Sequence, residues 1–154
     1  MKMFVGVTDN DWFYNVKKEK CEEVNYWKPS GQRFKALKRN DLFLFKLHSP
    51  YNYIVGGGFF IDFSDLPVSL AWEAFGIKNG VNSLEDLITS INKYRQNEII
   101  FGNDPKIGCI ILSSVFYFER EDWIPVPDDW SRNIVQGKSY DLSNRYSRLL
   151  CFSR

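Results

Sequence analysis

The chain has almost no histidine. His48 is the only one among 154 residues, which excludes most metal centres and every mechanism that needs two imidazoles. Cysteine is nearly as scarce: Cys21, Cys109 and Cys151 are odd in number, widely separated and outside any metal-ligand spacing, so reduced and mostly buried thiols are expected. Long hydrophobic runs are missing too. No apolar stretch approaches the roughly 20 residues that span a bilayer. The start, MKMFVGVTDND, turns acidic before a signal-peptide core could form, so a soluble cytoplasmic protein without membrane contact is expected. An excess of charge is also lacking: 20 basic against 19 acidic side chains leave a formal charge of +1, which excludes attachment to nucleic acid by bulk charge alone and leaves room for a local basic surface.

Aromatic residues are abundant. They make up 17% of the chain, within a hydrophobic share of 44%, enough to ask whether some rings face a ligand and not only the core. The length predicts one domain with one core, since domains of about 100 to 150 residues are the commonest.

The stretch Ile54 to Gly76, IVGGGFFIDFSDLPVSLAWEAFG, is the organising feature. It opens as a strand with three consecutive glycines, Gly56 to Gly58, and glycine inside a strand needs a reason such as a bulge, a sharp bend or close approach of another backbone or a ligand. Bends of this kind let a small sheet curl into a barrel. With Trp72, Glu73 and Phe75 following, the stretch reads as the wall and lip of a pocket; the plainer alternative is a barrel corner with no ligand.

Ahead of it, MFVGV (Met3 to Val7) is a short strand, and Thr8-Asp9-Asn10-Asp11 supplies capping oxygens for a helix whose apolar face is Trp12, Phe13 and Val16 and whose end is basic. Glu22 to Gly31 lacks a sustained period and ends in a Pro-Ser-Gly turn, which predicts a surface loop carrying Tyr26 and Trp27. LFLFKL reads as a central strand, joined through Tyr51-Asn52 to the glycine-rich strand as an antiparallel pair. Lys28, Arg33, Lys35, Lys38 and Arg39 form a local basic cluster beside Trp27, either solvated surface or a phosphate-contacting rim, and Lys138 is a further candidate phosphate contact.

Ser83 to Arg95 predicts a helix capped by Ser83, with Leu84, Leu87, Ile88, Ile91 and Tyr94 as a core-facing stripe of no functional role. IGCIILSSVFYF, Ile107 to Phe118, suits a strand buried on both faces. Trp123 to Leu142 predicts an ordered wrap ending in a short edge strand, and residues 143–154, with Arg145, Arg148 and Arg154, an unpatterned basic tail.

Eight motifs in order carry a resemblance. They are GVTDNDWF from Gly6, EVNYWKPSG from Glu23, LFLFKL from Leu42, IVGGGFF from Ile54, LPVSLAWEAFG from Leu66, IGCIIL from Ile107, DWIPVPDDW from Asp122 and NIVQGKSYDL from Asn133. The chain resembles the PUA-like superfamily, and in particular the EVE-type domain at the N-terminus of predicted modification-dependent restriction endonucleases with a His-Asn-His nuclease domain. The resemblance implies an α+β fold, a curled mixed or antiparallel β-barrel with flanking helices over residues 1–142. It also implies a pocket for one modified base held in an aromatic cage, with Trp27 and Trp72 matching the cage by position, Asp9, Asn10 and Asp11 as polar readers, and Trp12 and Asn25 as neighbours.

Reading a base within a duplex requires extruding it, stacking it and hydrogen-bonding its edge. Carboxylate or amide oxygens accept from the exocyclic amine of cytosine, and apolar surface meets a 5-substituent. The expected partner is nucleic acid, most simply DNA carrying 5-methyl- or 5-hydroxymethylcytosine, together with a nuclease domain or subunit. With one histidine the chain cannot assemble a His-Asn-His site, so it is expected to bind and not cut, with no cofactor. The alternatives are a modified-RNA reader, a small-ligand pocket, or an enzyme using a carboxylate pair such as Asp65 with Glu73 or Asp9 with Asp11. Such carboxylates are ordinarily caps and turns.

Overall fold

The computed structural model describes residues 1–30, 33–95, 103–131, 133–134 and 136–141. The strands are β1 (Lys2–Thr8), β2 (Val24–Lys28), β3 (Leu42–Leu47), β4 (Tyr53–Pro67), β5 (Lys106–Tyr117), β6 (Ile124–Pro125) and β7 (Gly137–Asp141), and the helices are α1 (Asn10–Lys18), α2 (Val68–Phe75) and α3 (Leu84–Asn92). All seven strands belong to one curled mixed sheet of order β2-β5-β4-β3-β1-β7, with β6 paired to β4. Only the β1–β3 pair is parallel; the other described pairs are antiparallel. The ladder has two ends, β2 and β7, so barrel closure is not part of the described hydrogen bonding.

Alternation along the strands builds the core. Phe43, Phe45 and Leu47 of β3 pack in one cluster with Trp12, Phe13, Val24, Val55 and Leu112. Leu44 points the other way, beside Met3, Val5, Ile54 and Tyr140, where Trp123 and Trp130 of the wrap pack against it. The wrap ends, as expected, in an edge strand, β7, antiparallel to β1. A third cluster joins Val68 and Ala71 of α2 to Leu87 and Ile91 of α3 over Ile107 and Cys109 of β5.

Three expectations are corrected. Val24 to Lys28 is a strand and not part of a loop, because Val24 to Lys28 pair in register with Leu112 to Gly108 of β5, and that partner is remote in sequence. Gly56 to Gly58 line neither of the two cavities described below and belong to the closely packed middle of the sheet. A Cβ on Gly57 would come within 2.4 Å of the Phe43 carbonyl oxygen, and one on Gly56 within 2.4 Å of the Phe116 oxygen. The glycines therefore permit backbone approach and the register shift between Gly57 and Phe59. Third, Tyr94 is not core: α3 ends at Asn92, so the 3.6-residue stripe stops before it, and its side chain is 48% exposed. The stretch from residue 142 onward, including the basic tail and Cys151, lies outside the described residues.

Candidate nucleic-acid interface

Of the capping oxygens expected along Thr8 to Asp11, that of Asp9 makes the cap: Oδ1 accepts from the Asp11 amide at 2.8 Å and the Trp12 amide at 3.4 Å. This fixes the β1–α1 junction and buries Trp12, whose indole Nε1 donates to the Asn25 carbonyl of β2 at 3.3 Å. Gly80 makes room for that indole. It has a left-handed φ of 74°, and a Cβ there would lie 2.1 Å from the ring.

Between β1 and β2, which do not pair, the curled sheet leaves a cleft of about 710 Å³. Its walls are Phe4, Val7, Thr8 and Asp9 of β1 and its end, Trp12 of α1, Tyr26 to Ser30 of β2 and beyond, and Phe34; His48, Tyr94, Arg95, Ile110 and Gln136 complete it. Tyr26 bridges the seam, its hydroxyl donating to the Val7 carbonyl. The rings pack on one another edge-on or tilted: Trp12 to Tyr26 at 5.6 Å, Tyr26 to Phe43 at 4.6 Å, Phe4 to Phe34 at 5.1 Å.

The polar tips of these rings are already engaged. Trp27 Nε1 donates to the Asn79 carbonyl at 2.9 Å. Tyr94 Oη donates to Asp9 Oδ2 at 2.8 Å, and Arg95 Nη1 donates to the Pro29 carbonyl at 2.8 Å. Burial, followed by the hydrogen bond to Asp9 and the Asp9 and Asp11 charges, raises the Tyr94 phenol, and burial raises that of Tyr26, so both stay protonated donors. Lys28 lies with its ammonium 5.9 Å from the Phe34 ring centroid, its pKa lowered by burial. The cleft thus offers aromatic surface with a carboxylate, a lysine and an imidazole among its polar groups.

Of the sequence-predicted base contacts, Asp9, Trp12 and Trp27 meet in this cleft, together with Lys28, expected as a phosphate contact. Asp11 lines an adjoining cavity of about 310 Å³ that shares Asp9, Trp12 and Trp27 as its wall. Asn10 opens α1, its Oδ1 buried without a partner among the described residues. Asn25 is fully buried behind the wall, its Nδ2 donating to Asn79 Oδ1 at 2.8 Å. Trp72 lies on α2 against the third core cluster and lines neither cavity. Arg33, Lys35, Lys38 and Arg39 are exposed along the β2–β3 connection that carries Phe34 into the cleft. Lys138, on β7, is held by Asp129 at 2.7 Å.

Asn79 was not singled out from sequence. It is fully buried, donates to the Ala71 and Gly76 carbonyls at 3.1 and 2.9 Å, accepts from Asn25 and receives the Trp27 indole on its backbone oxygen. The available signal was Asn-Gly at 79–80, which reads as a turn and hides a buried amide. Among the described residues no group of three histidine, cysteine or acidic side chains could hold a metal ion, and no helix is long and apolar enough to cross a membrane.

No family model and no curated protein matches the chain. Among solved structures, the chain is similar to ASCH from Zymomonas mobilis, with a TM-score of 0.48 and 10% identity over 77% of this chain and 89% of that one. Two single-substitution mutants of the same protein score alike. The serine-to-alanine form has 10% identity over 85% of this chain and 89% of that one, and the tyrosine-to-phenylalanine form 11% over 86% and 92%, both at 0.48. Likeness of this degree carries no argument about ligand or activity.

Proposed function

We propose that this chain is a non-catalytic reader of modified nucleic acid, accepting one flipped base, 5-methyl- or 5-hydroxymethylcytosine in DNA, in the cleft between β1 and β2. The observation that carries the reading is a cleft of about 710 Å³ walled by rings whose polar tips are bonded inward, leaving aromatic surface beside Asp9 and Lys28. That volume falls within the range of about 300 to 1,000 Å³ usual for small-ligand sites. Rings supply stacking of roughly 1 to 3 kcal/mol per base, and the carboxylate supplies discrimination. The exposed Arg33, Lys35, Lys38 and Arg39 beside Phe34 are suited to the flanking phosphates. The resemblance to EVE-type domains in the sequence motifs agrees with this reading and adds a nuclease as the partner that would act on the bound site.

The test is titration of tryptophan fluorescence with duplexes identical except for cytosine, 5-methylcytosine or 5-hydroxymethylcytosine at one position, with matched RNA strands in parallel. Preference for a modified duplex, weakened about tenfold or more by Trp27→Ala and little changed by Trp72→Ala, is expected. Equal binding of all three duplexes, or preference for the RNA, removes DNA modification reading.

A further inference from the structure

We infer that Tyr94 is a specificity-determining residue of the cleft: by holding Asp9 as a fixed hydrogen-bond acceptor, it makes the site select a base edge that presents an amino group over one that presents a carbonyl. The inference rests on the base-reader reading above and concerns which bases that site takes.

Among the described residues the Asp9 carboxylate accepts three hydrogen bonds. Oδ1 takes the amides of Asp11 and Trp12, and Oδ2 takes the Tyr94 hydroxyl at 2.8 Å. Three donors converging on one carboxylate fix its orientation, so that it cannot turn away from a ligand, and about one of the roughly four lone-pair sites of a carboxylate is left for that ligand. Without Tyr94, Oδ2 would be bonded only by what enters the cleft. The hydroxyl keeps its proton, because burial and the Asp9 carboxylate both raise it. Tyr94 is placed by its neighbours: it follows the end of α3, its backbone amide donates to the Ile91 carbonyl at 3.0 Å, and the next residue, Arg95, is fastened to Pro29 across the cleft at 2.8 Å.

A base edge with an exocyclic amine donates to the remaining lone pair. One with a carbonyl sets acceptor against acceptor and leaves both unpaired, which costs more than a hydrogen bond is worth. The other cleft-facing indoles and phenols cannot compensate, since Trp12, Tyr26 and Trp27 already donate to backbone carbonyls.

The pair that tests this is 5-methylcytosine against thymine, which share the 5-methyl group and differ at the amino or carbonyl position. Each is placed opposite an abasic site in the same duplex, so that neither must be unpaired. The wild-type chain is expected to favour 5-methylcytosine by about tenfold or more. Tyr94→Phe should reduce that ratio severalfold by raising thymine affinity relative to 5-methylcytosine. Asp9→Asn, which keeps a good helix cap and can donate as well as accept, should abolish the ratio. A merely structural role for Tyr94 would weaken both duplexes alike and leave the ratio unmoved; that result overturns the inference. Equal wild-type binding of both duplexes that still depends on Trp27 overturns it too, with the base-reader reading intact. If neither duplex binds, the base-reader reading fails and the inference falls with it.

Discussion

The middle of the sheet and its open seam solve opposite problems with the same chain. In the middle, β3, β4 and β5 approach so closely that Gly56 and Gly57 leave no room for a Cβ. At the seam, β1 and β2 do not pair with each other and large rings take up part of the gap, with about 710 Å³ left over. Removing side chains lets the frame strands approach closely, and the curled sheet leaves β1 and β2 as facing walls of one cleft. Asp9, Lys28, His48 and Tyr94 are gathered at the seam.

Breaking the frame should have the largest effect. Gly57→Val forces side-chain atoms against the Phe43 carbonyl oxygen, 2.4 Å from the added Cβ. A loss of more than about 3 kcal/mol is expected, read as a fall in thermal midpoint of roughly 10 °C, with ligand binding lost only because the fold is lost. Asn79→Ala should act on the seam from behind. It leaves the Asn25 amide and the Ala71 and Gly76 carbonyls without their partner, for a loss of about 2 to 3 kcal/mol, and it should weaken binding at temperatures where the protein is still folded, because Trp27 leans on the same residue. If binding by the folded Asn79→Ala protein is unchanged, the back wall does not govern the cleft.

The smallest effect separates the two regions by pH. Cys109 of β5 is fully buried, and burial pushes its thiol from 9.0 up to about 11, with the hydrogen bond to Asn25 opposing. The unfolded chain ionises first, so the stability held by the neutral thiol is complete below pH 9.0 and is lost as pH rises toward about 11. The loss is about 2 kcal/mol or less, and Cys109→Ala should flatten that part of the curve of thermal midpoint against pH. An unchanged slope in the alanine variant would assign the alkaline limb to the buried phenols of Tyr26 and Tyr117, which are also raised by burial.

Sequence reading reached the parts of the fold that are local. The capping signals at Thr8 to Asp11 and at Ser83, the β3–β4 hairpin and the long strand β5 depend on neighbours within a few residues or on a near-continuous apolar run, and all are present, although β5 is buried on both faces only from Ile107 to Ile110 and is half-exposed beyond Leu112. Strand β2 was missed because VNYWK has no period of its own and becomes a strand only against β5. Tyr94 was misread because a stripe of apolar spacing carries no mark for where its helix stops. Of the two cage tryptophans proposed by order of elements, Trp27 lines the cleft and Trp72, on α2, packs against the third core cluster; element order locates a strand or helix, and the direction of a side chain within it is set by packing.

The β1 strand has one further consequence, for the order of events in folding. Its two neighbours are β3, in parallel, and β7, where Lys2 faces Asp141 at the far end of the described chain. Hairpins such as β3–β4 close early and locally, whereas β1 cannot acquire its second neighbour until nearly all of the described chain has been made, and such long-range pairings are slow. One wall of the cleft is therefore a late product of folding, and a chain still emerging from the ribosome would hold the frame before it could hold a ligand.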